Sequence, residues 1–588
     1  MLTPEITRIL LIVGLAVTGY MMLRAWNDDS EAGKDATTYN DAPLVRNGVA
    51  PAQGAALDTA DADIPLELGV GGRESRTQSG DIPDASLLVE ENVPVVAANS
   101  ASKNPGTNAA QLVTVTTPRI KMWIDLLGGD VVRVELPQYP VALDTPDRHY
   151  VLLDTSATRT YVAQSGLIGE HGPDASGERP FYSTSASSYY VGPDEEETVV
   201  LRTEVDGAQI EKHFVFRGDD NLVDVKYVVN NRRDNVFRAG MFAQLKRDGL
   251  PPANDETAGL GMQPYVGGAM TTPEESYLKV EFEDLDERPM EPLLMDGGWV
   301  AMLQHYFLSA WVAPLDQPIR YSARRNGDGH YIFGFTGPLR EVQPGSSGTW
   351  EAQFYAGPKD QKRLEEISPN LNLTVDYGFL WWLAVPLFYM LDWLYGFSGN
   401  WGAAIILLTI AVKAVLYPLS AAGYKSMANM RRVAPQMKKL QERFANDREK
   451  LSREMMALYK KEGANPLGGC LPMLLPMPIF IALYWVLFES VELRQAPFMF
   501  WIEDLAVKDP FFVLPLLMGA STYLMQSMSP QVGDPMQVKM MKMMPIMFTV
   551  LFLFFPAGLV LYWLVSNLLS MTQQWYVIKK TEKAQAAK

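Results

Sequence analysis

The sequence is nearly without cysteine, and this lack removes whole classes of architecture and chemistry. Cys470 stands alone among 588 residues, which excludes a disulfide scaffold and a metal site built from several cysteines. All five histidines precede Gly357, and no G-x-x-x-x-G-K-[ST] or H-E-x-x-H run occurs anywhere. The C-terminal part therefore shows no recognisable set of residues for ATP hydrolysis, redox chemistry or metal-assisted hydrolysis. We expect neither an enzyme nor a bound cofactor or metal.

Aromatic residues and positive charge are scarce in one long stretch, residues 27–110. This stretch has fourteen Asp and Glu against five Lys and Arg, and so supplies nine of the seventeen net negative charges. Its richness in Ala, Asp, Gly, Pro and Ser cannot bury enough apolar surface to offset chain entropy. We predict a disordered acidic linker over 27–110. The acidic balance gives no support to nucleic-acid recognition.

An apolar run precedes this linker. Residues 9–23 are flanked by Arg8 and Arg24. This apolar run is short for a membrane-crossing helix, so a cleaved signal peptide is the alternative. Apolar residues continue past the small residues that could precede a cleavage site, which favours an uncleaved transmembrane anchor over 1–26. In both cases the segment that follows is exported.

The pattern changes to short alternating runs between residues 111 and 368. Residues 131–136, 199–203 and 223–229 alternate apolar and polar side chains with the period of half-buried strands. Glycine-rich and Asp- or Asn-rich turns separate such runs. Many short strands in one stretch predict a β-sandwich domain outside the membrane.

The last third of the chain contains long apolar runs. Crossing helices are predicted at 401–419, 471–488, 511–528, 538–555 and 558–578. With the N-terminal anchor they make six transmembrane α-helices. Residues 369–398 are aromatic and interrupted by Pro386 and Asp392, so we assign them to an amphipathic helix at the membrane interface. The chain is thus a multi-domain membrane protein whose helical core covers 399–580, before a basic tail at 581–588.

The connection after the first core helix predicts a helical hairpin over 421–466. Its apolar residues recur at helical spacing, and these are Met430, Val433, Met437, Leu440 and Phe444, continued by Leu451, Met455 and Leu458. Residues 421–470 have eleven Lys and Arg against five Asp and Glu, whereas residues 489–510 have two against five. The positive-inside rule places the first connection in the cytoplasm and the second outside. Six crossings then place both termini inside and the β-domain outside.

Lys413 is the charged residue that stands within an apolar run. It lies about two-thirds of the way along its helix, with Thr409 four residues before it and Tyr417 four residues after it. Because an intramembrane charge costs about 3 kcal/mol on insertion scales, it should face water or a partner. The alternatives are a lysine that reaches the cytoplasmic headgroups and a positive charge that lines a wet cavity. We favour the cavity.

The last predicted helix has a stripe of polar side chains at three- or four-residue spacing. The candidate groove residues from this stripe and its neighbours are Gln526, Tyr562, Trp563, Ser566, Asn567 and Ser570. Hydrogen bonding between helices is the alternative use of such residues. A stripe of weak donors and acceptors beside one cation suits transient stabilisation of a polar chain segment.

Short runs of sequence across about 200 residues match one family in order. They are GNWG at 399–402, YPL at 417–419, EMMALYK at 454–460, NPLGGC at 465–470, ELRQAPF at 492–498, DPM at 534–536 and FPAGLVLYW at 555–563. The chain resembles the bacterial YidC membrane-protein insertase family in its Gram-negative form. That form has an N-terminal anchor and a large periplasmic domain.

This resemblance implies a five-helix core around a hydrophilic groove, a periplasmic β-supersandwich and a location in the bacterial inner membrane. The groove cation of the family is usually arginine, and Lys413 occupies the matching position, which keeps the charge without the bidentate geometry of arginine. The resemblance assigns client contact to Trp563. It also implies that the exported domain meets the Sec translocon, and that the hairpin and tail contact ribosome or signal-recognition components.

We hypothesise an energy-independent insertase and chaperone for nascent membrane proteins. A polar, often acidic, client segment enters the groove from the cytoplasm, and polar side chains replace part of its lost hydration. Its apolar segment leaves into lipid along faces that include Met473, Pro476 and Met477. The alternatives are a small-solute transporter, for which the sequence has no intramembrane acid–base relay, and a structural subunit for translocon assembly.

Overall fold

A computed structural model describes residues 80–88, 112–175, 177–252, 264–444, 447–462, 475–528 and 535–586, without the side chains of 448, 535–538, 541 and 584–586. All of them belong to one unit, Arg76–Lys588. The predicted anchor over 1–26, Met473 and most of the predicted linker lie outside the described residues. Residues 80–88 form an exception to the predicted disorder of 27–110, because they pack against the β-domain through long-range contacts that composition does not reveal.

The part of the chain that was predicted to be exported is a β-sandwich, as expected. Its strands are β1 (Leu112–Thr116), β2 (Lys121–Asp125), β3 (Asp130–Pro140), β4 (His149–Thr155), β5 (Thr160–Ile168), β6 (Ser188–Tyr190), β7 (Glu196–Val205), β8 (Ala208–Arg217), β9 (Leu222–Asn231), β10 (Phe237–Arg247), β11 (Gly267–Met270), β12 (Leu278–Val280), β13 (Leu293–Asp296), β14 (Trp299–Leu303), β15 (Phe307–Val312), β16 (Pro318–Arg325), β17 (Tyr331–Thr336), β18 (Arg340–Val342) and β19 (Ser347–Pro358). The three runs that predicted strands lie in β3, β7 and β9.

These strands form two sheets in the part of the chain that the structure describes. One runs β13-β16-β17-β10-β5-β4-β3-β2-β1-β6 with β18 beside β10, and the other runs β12-β11-β14-β15-β19-β9-β8-β7. Successive side chains point to opposite faces of a strand, and in β8 every second residue is buried. The inward faces of both sheets share one apolar core, which includes Trp311, Phe333 and Phe354.

Helices make up most of the remainder. They are α1 (Phe282–Glu287), α2 (Gln361–Ile367), α3 (Trp381–Ser398), α4 (Trp401–Val415), α5 (Tyr417–Arg443), α6 (Arg448–Glu462), α7 (Met477–Glu489), α8 (Val513–Ser527), α9 (Pro535–Phe552) and α10 (Ala557–Ala586). The seam of the predicted hairpin is present between α5 and α6, where Met430, Val433 and Met437 pack against Leu458.

The count of six crossings is not confirmed by helix length and composition. Among the described helices, the stretch Gly378–Ser398 is long and apolar enough to cross a membrane by itself, and α4 with α5 would do so as one broken span bent by 67°. The first of these is the helix that the sequence assigned to the interface. Because it passes the test of a crossing helix despite its aromatic residues, its interfacial position stays a prediction.

The β-domain and the helices meet in a buried junction at the end of α7. Lys359 Nζ lies 3.4 Å from Glu489 Oε2, and the two side chains are 3% and 6% exposed. Arg494 donates a hydrogen bond of 2.7 Å to the carbonyl oxygen of Pro140 in β3. Val491 belongs to the same apolar core as the sheets. The loop after α7 is therefore held by the sandwich itself.

The junction also contains a histidine and an acid with shifted pKa values. Burial, to which Lys359 adds, lowers the pKa of His305 to about 3, so its ring is neutral at pH 7. Its Nε2 donates to the carbonyl oxygen of Phe488 at 2.9 Å. Burial, together with nearby carboxylates, raises the pKa of Glu492 to about 7. The neutral ring of His305 thus contacts the end of α7 without adding a charge.

Candidate client-binding groove

Lys413 lies in the last turn of α4 and points into the helical bundle. The helix begins after Asn400, whose side chain accepts a hydrogen bond from the backbone of Ala403, as an N-cap residue should. Lys413 is 6% exposed, and its Nζ donates to Ser570 Oγ of α10 at 2.7 Å. Within the described ranges no carboxylate forms an ion pair with it. The lysine is therefore a buried cation with a neutral partner, and it does not reach out toward headgroups.

The predicted neighbours of Lys413 are arranged differently from the expectation. Thr409 is fully buried, and its hydroxyl donates at 2.7 Å to the carbonyl oxygen of Ile405 in its own helix. Tyr417 was expected one turn beyond Lys413 on the same helical face, but α4 ends at Val415 and a new helix begins at Tyr417. Pro418 explains the break, since it has no N–H to continue the hydrogen-bond ladder of α4 and its ring would clash with the preceding turn, whereas proline is tolerated in the first turn of α5.

The polar stripe of α10 is paired within the bundle. Asn567 Nδ2 donates to Ser521 Oγ at 2.9 Å and to Thr522 Oγ1 at 2.8 Å, and so joins α10 to α8. The hydroxyl of Tyr562 forms a hydrogen bond with Ser566 one turn along its own helix. Gln526 is half-buried near the end of α8. The alternative of interhelical hydrogen bonds therefore holds for Asn567, and a client would have to compete with these bonds.

Trp563 belongs to an aromatic cluster between three helices. Its ring lies 4.6 Å from that of Phe480 in α7, edge to face, and 5.4 Å from that of Phe552 in α9. Edge-to-face pairs of this kind stabilise packing beyond the apolar area that they bury. Tyr562 is almost fully buried beside it. Trp563 is half-buried, so part of its surface is left for contact with another chain.

Two of the three residues predicted to line the client exit, Pro476 and Met477, are among the described residues. Pro476 precedes the first residue of α7, and Met477 is exposed at its start. Exposed apolar side chains continue along α8 and α9, and these include Leu516, Leu517, Leu524, Ile546, Met547 and Val550. Such a surface suits contact with lipid tails, because a soluble surface rarely exposes so large an apolar patch.

The sequence did not identify the part of α5 that closes the site. Ser420, Tyr424 and Met427 are buried, and Gln574 of α10 donates to the Met427 sulfur at 3.1 Å. The Tyr424 side chain forms a hydrogen bond with Ser570, the residue that also accepts from Lys413. Their spacing of four and three residues was a signal of one buried helical face. The site thus lies between α4, α5 and α10.

Comparisons with known proteins identify the family. The family model of the 60Kd inner membrane protein matches residues 393–584, and that of the YidC periplasmic domain matches residues 112–390. The chain is 44% identical over 590 residues to the membrane protein insertase YidC of Pseudomonas fluorescens strain Pf-5, and 45% identical over 584 residues to that of strain SBW25. Each alignment covers 99% of both chains.

Among solved structures, an active YidC insertase with its first transmembrane domain resolved is similar to this chain. It is 16% identical with a TM-score of 0.36, over 80% of this chain and 93% of that one. The full-length identity to the relatives decides the assignment. The chain belongs to the YidC family of membrane protein insertases, which act on nascent membrane proteins in the inner membrane.

Proposed function

We propose that the chain inserts inner-membrane proteins, and helps them to fold, by offering the charge of Lys413 to a client within a hydrophilic groove between α4, α5 and α10. The observation that carries this proposal is the pairing of Lys413 with the neutral hydroxyl of Ser570. An intramembrane charge costs about 2.5–3.5 kcal/mol on insertion scales. A hydrogen bond to a charged group returns about 1.5–3 kcal/mol. A client carboxylate would complete the neutralisation.

Entry of the client requires the helices around Lys413 to separate. The Lys413–Ser570 hydrogen bond opens, and the ammonium group attracts the acidic tail or loop of the client from the cytoplasmic side. Asn567 and the hydroxyls of Ser521 and Thr522 then provide donors and acceptors that replace part of the client's hydration. The apolar segment leaves past Met477 into lipid. Its partitioning drives the reaction, with the membrane potential acting on client charges.

Insertion of a short client with an acidic tail into proteoliposomes tests the role of charge. Lys413→Ala should lower the insertion rate strongly, Lys413→Arg should restore it, and Ser570→Ala should leave it near the wild-type rate. Lys450→Ala is the matched control, because Lys450 lies exposed on the cytoplasmic hairpin. Full activity of Lys413→Ala would disprove the electrostatic role.

A structural role in translocon assembly is the second candidate, and the Asn567 bonds to Ser521 and Thr522 favour it. Under this alternative the polar residues only hold helices together. Insertion would then follow the thermal stability of each variant, whatever its charge. Under our proposal Lys413→Ala loses insertion at unchanged or higher stability, so measuring both quantities on the same sample separates the two.

We further propose six crossings, with both termini in the cytoplasm and the β-domain in the periplasm. The distribution of basic residues supports this topology, since Arg431, Lys438 and Lys439 are exposed on α5. A chain with Cys470→Ala allows single cysteines to be placed at Lys450 and at Asp504. In intact spheroplasts a membrane-impermeant maleimide should label the second position and not the first. Reversed labelling would overturn the orientation.

The Sec translocon and ribosome or signal-recognition components are the proposed partners beyond clients and lipid. The exposed basic face of the hairpin suits an anionic ribosomal surface, and the large β-domain offers a site for translocon subunits. Replacing Lys438 and Lys439 by Glu should reduce co-sedimentation with ribosomes, while Lys362→Glu on the exported side should not. Equal co-sedimentation of both variants would contradict a role for the hairpin.

A further inference from the structure

The segment Gly80–Leu88 lies on the outer face of the larger sheet, although it belongs to the stretch predicted to be disordered. Asp84 accepts a hydrogen bond from the backbone of Ser86 and so begins a short turn over Ala85–Leu87. Ile82 and Leu88 pack in a small apolar cluster with Ile168, Phe242 and Leu339. This cluster is separate from the core between the sheets. The segment therefore packs on the outside of the sheet and does not contribute to the core of the sandwich.

Three side chains of the sheet and one from the turn after β16 converge on one residue of this segment. The Asp81 carboxylate accepts from Lys246 Nζ at 2.6 Å and from Asn326 Nδ2 at 2.7 Å. Its carbonyl oxygen accepts from Gln244 Nε2 at 2.8 Å and from Arg324 Nη2 at 3.0 Å. Both the side chain and the backbone of Asp81 are therefore recognised, as in a site built for an extended peptide.

The register of the strands explains why these groups share one face. Phe242, Gln244 and Lys246 alternate along β10 and so point the same way. Gln244 pairs with Gly334 of β17, whose lack of a side chain leaves room above the sheet. Gly240 makes room for the Leu88 side chain, because a Cβ at position 240 would lie 2.2 Å from Leu88 Cδ2. The face is thus shaped for a leucine at one end and a carboxylate at the other.

The charge balance of this site favours an acidic ligand. Gln244 is 1% exposed and Arg324 is 7% exposed with the segment in place. Lys246 forms its ion pair with Asp81, while Arg324 contacts only the carbonyl oxygen of that residue in the described chain. Two cations therefore face one carboxylate. The segment thus covers these polar groups and replaces their hydration with direct hydrogen bonds.

We propose that this face of the β-domain is a peptide-binding site for an extended acidic segment, and that Gly80–Leu88 is its resident ligand, held in cis and releasable. The pattern recognised is Asp, then Ile, with Leu seven residues after the Asp. Residues 89–111 connect the segment to β1, so release does not require any strand to leave its sheet. A ligand held in cis has a high effective concentration, so a segment from another protein binds when the resident one is withdrawn.

Fluorescence anisotropy on the full chain in detergent micelles tests this proposal. The probe is a fluorescein-labelled peptide with the sequence of residues 80–88, GDIPDASLL. The double variant Asp81→Ala/Leu88→Ala frees the site and should bind the peptide about tenfold more tightly than the wild type. Adding Lys246→Ala should remove that gain. Asp84→Ala is the matched control, since Asp84 is exposed and the hydrogen bond that its carboxylate makes among the described residues lies within its own turn.

One further protein variant, tested with an altered peptide, distinguishes a specific change in binding from loss of folding. Gly240→Ala in the freed chain should weaken binding of GDIPDASLL and restore binding of GDIPDASLA, because the smaller side chain avoids the added methyl group. A misfolded domain could not show this exchange of preference. Equal binding of the peptide by the wild type and the freed chain, or equal binding with and without Lys246→Ala, would overturn the proposal.

Discussion

In the β-domain Arg179 contacts the carboxylates of Asp130 and Asp174, whereas in the helical core the Lys413 ammonium donates to the neutral hydroxyl of Ser570 and pairs with no described carboxylate. Burial alone would lower the pKa of Arg179, but the two carboxylates outweigh it and raise the pKa above its usual value. Nearby, Lys212 donates to the carbonyl oxygen of Gly129 at 2.7 Å.

Both regions bury basic side chains, but in the β-domain two carboxylates neutralise Arg179 within the fold itself. Such a network supports the native structure, and removing one member leaves the others uncompensated. The helical core leaves its cation incompletely neutralised, as a site for a transient partner should. Mutations in the two regions should therefore have opposite effects on stability.

The largest effect is expected in the β-domain. Arg179→Ala leaves two buried carboxylates without their main counter-ion and should lower the free energy of unfolding by about 3–5 kcal/mol. Thermal unfolding followed by near-ultraviolet circular dichroism measures the change. The control is Arg202→Ala, because the Arg202–Glu211 pair is exposed on the surface and such pairs contribute about 0–1 kcal/mol. Similar losses in both variants would contradict the proposed network.

A smaller loss is expected at the junction between the two regions. Lys359→Met leaves Glu489 buried without its partner and should lower the free energy of unfolding by about 2–4 kcal/mol. Lys362→Met offers a matched comparison, since its pair with Asp392 is solvent-exposed and should contribute less than about 1 kcal/mol. Chemical denaturation of both variants in the same detergent gives the difference. No difference would mean that the junction does not hold the domain to α7.

The helical core should respond in the opposite direction. Lys413→Met removes a charge that no carboxylate in the described ranges neutralises. It should raise thermal stability slightly, by about 1 kcal/mol, the balance of the insertion cost and the lost hydrogen bond. The same variant should lose insertion activity in proteoliposomes. A fall in stability as large as that of Arg179→Ala would erase the contrast between the regions.

The smallest expected effect concerns pH and the docked segment. Burial raises the pKa of Asp81, but hydrogen bonds from Lys246 and Asn326, with the nearby His330, outweigh it, so the pKa lies below its usual value. Because the docked carboxylate has the lower pKa, docking is full above the ordinary pKa of the free segment and weakens as pH falls through the lowered one. Anisotropy of the GDIPDASLL peptide on the freed chain, titrated from neutral to acid pH, should show this loss. A peptide with Asn at the second position should bind weakly at every pH.

Local patterns predicted the elements well where contacts follow the sequence period. The alternating residues 131–136 and 223–229 lie within β3 and β9. Met430, Val433 and Met437, which were predicted to form the hairpin seam, are buried together in one apolar cluster. Lys413 could be identified because a charged residue within an apolar run is recognisable from the sequence alone. Its burial and its partner Ser570 depend on how two distant helices pack, which the sequence does not specify.

Long-range contacts account for what the sequence missed. Asp81 and Lys246 are 165 positions apart, so composition alone assigned the first to a disordered linker. The break before Tyr417 could have been predicted from Pro418, but the helical hydrophobic period continued across it. In each case a local rule competed with a tertiary contact or a proline, and the local rule alone was insufficient.

The grip of the sandwich on the loop after α7 has a mechanical consequence. Arg494 reaches the backbone of β3 and Lys359 reaches Glu489, so the outer end of this helix is clamped to a stiff two-sheet body. A load applied to that body would pass directly into α7, whose other end begins at Met477, a residue of the proposed client exit. The β-domain would then act as a lever arm on that proposed exit.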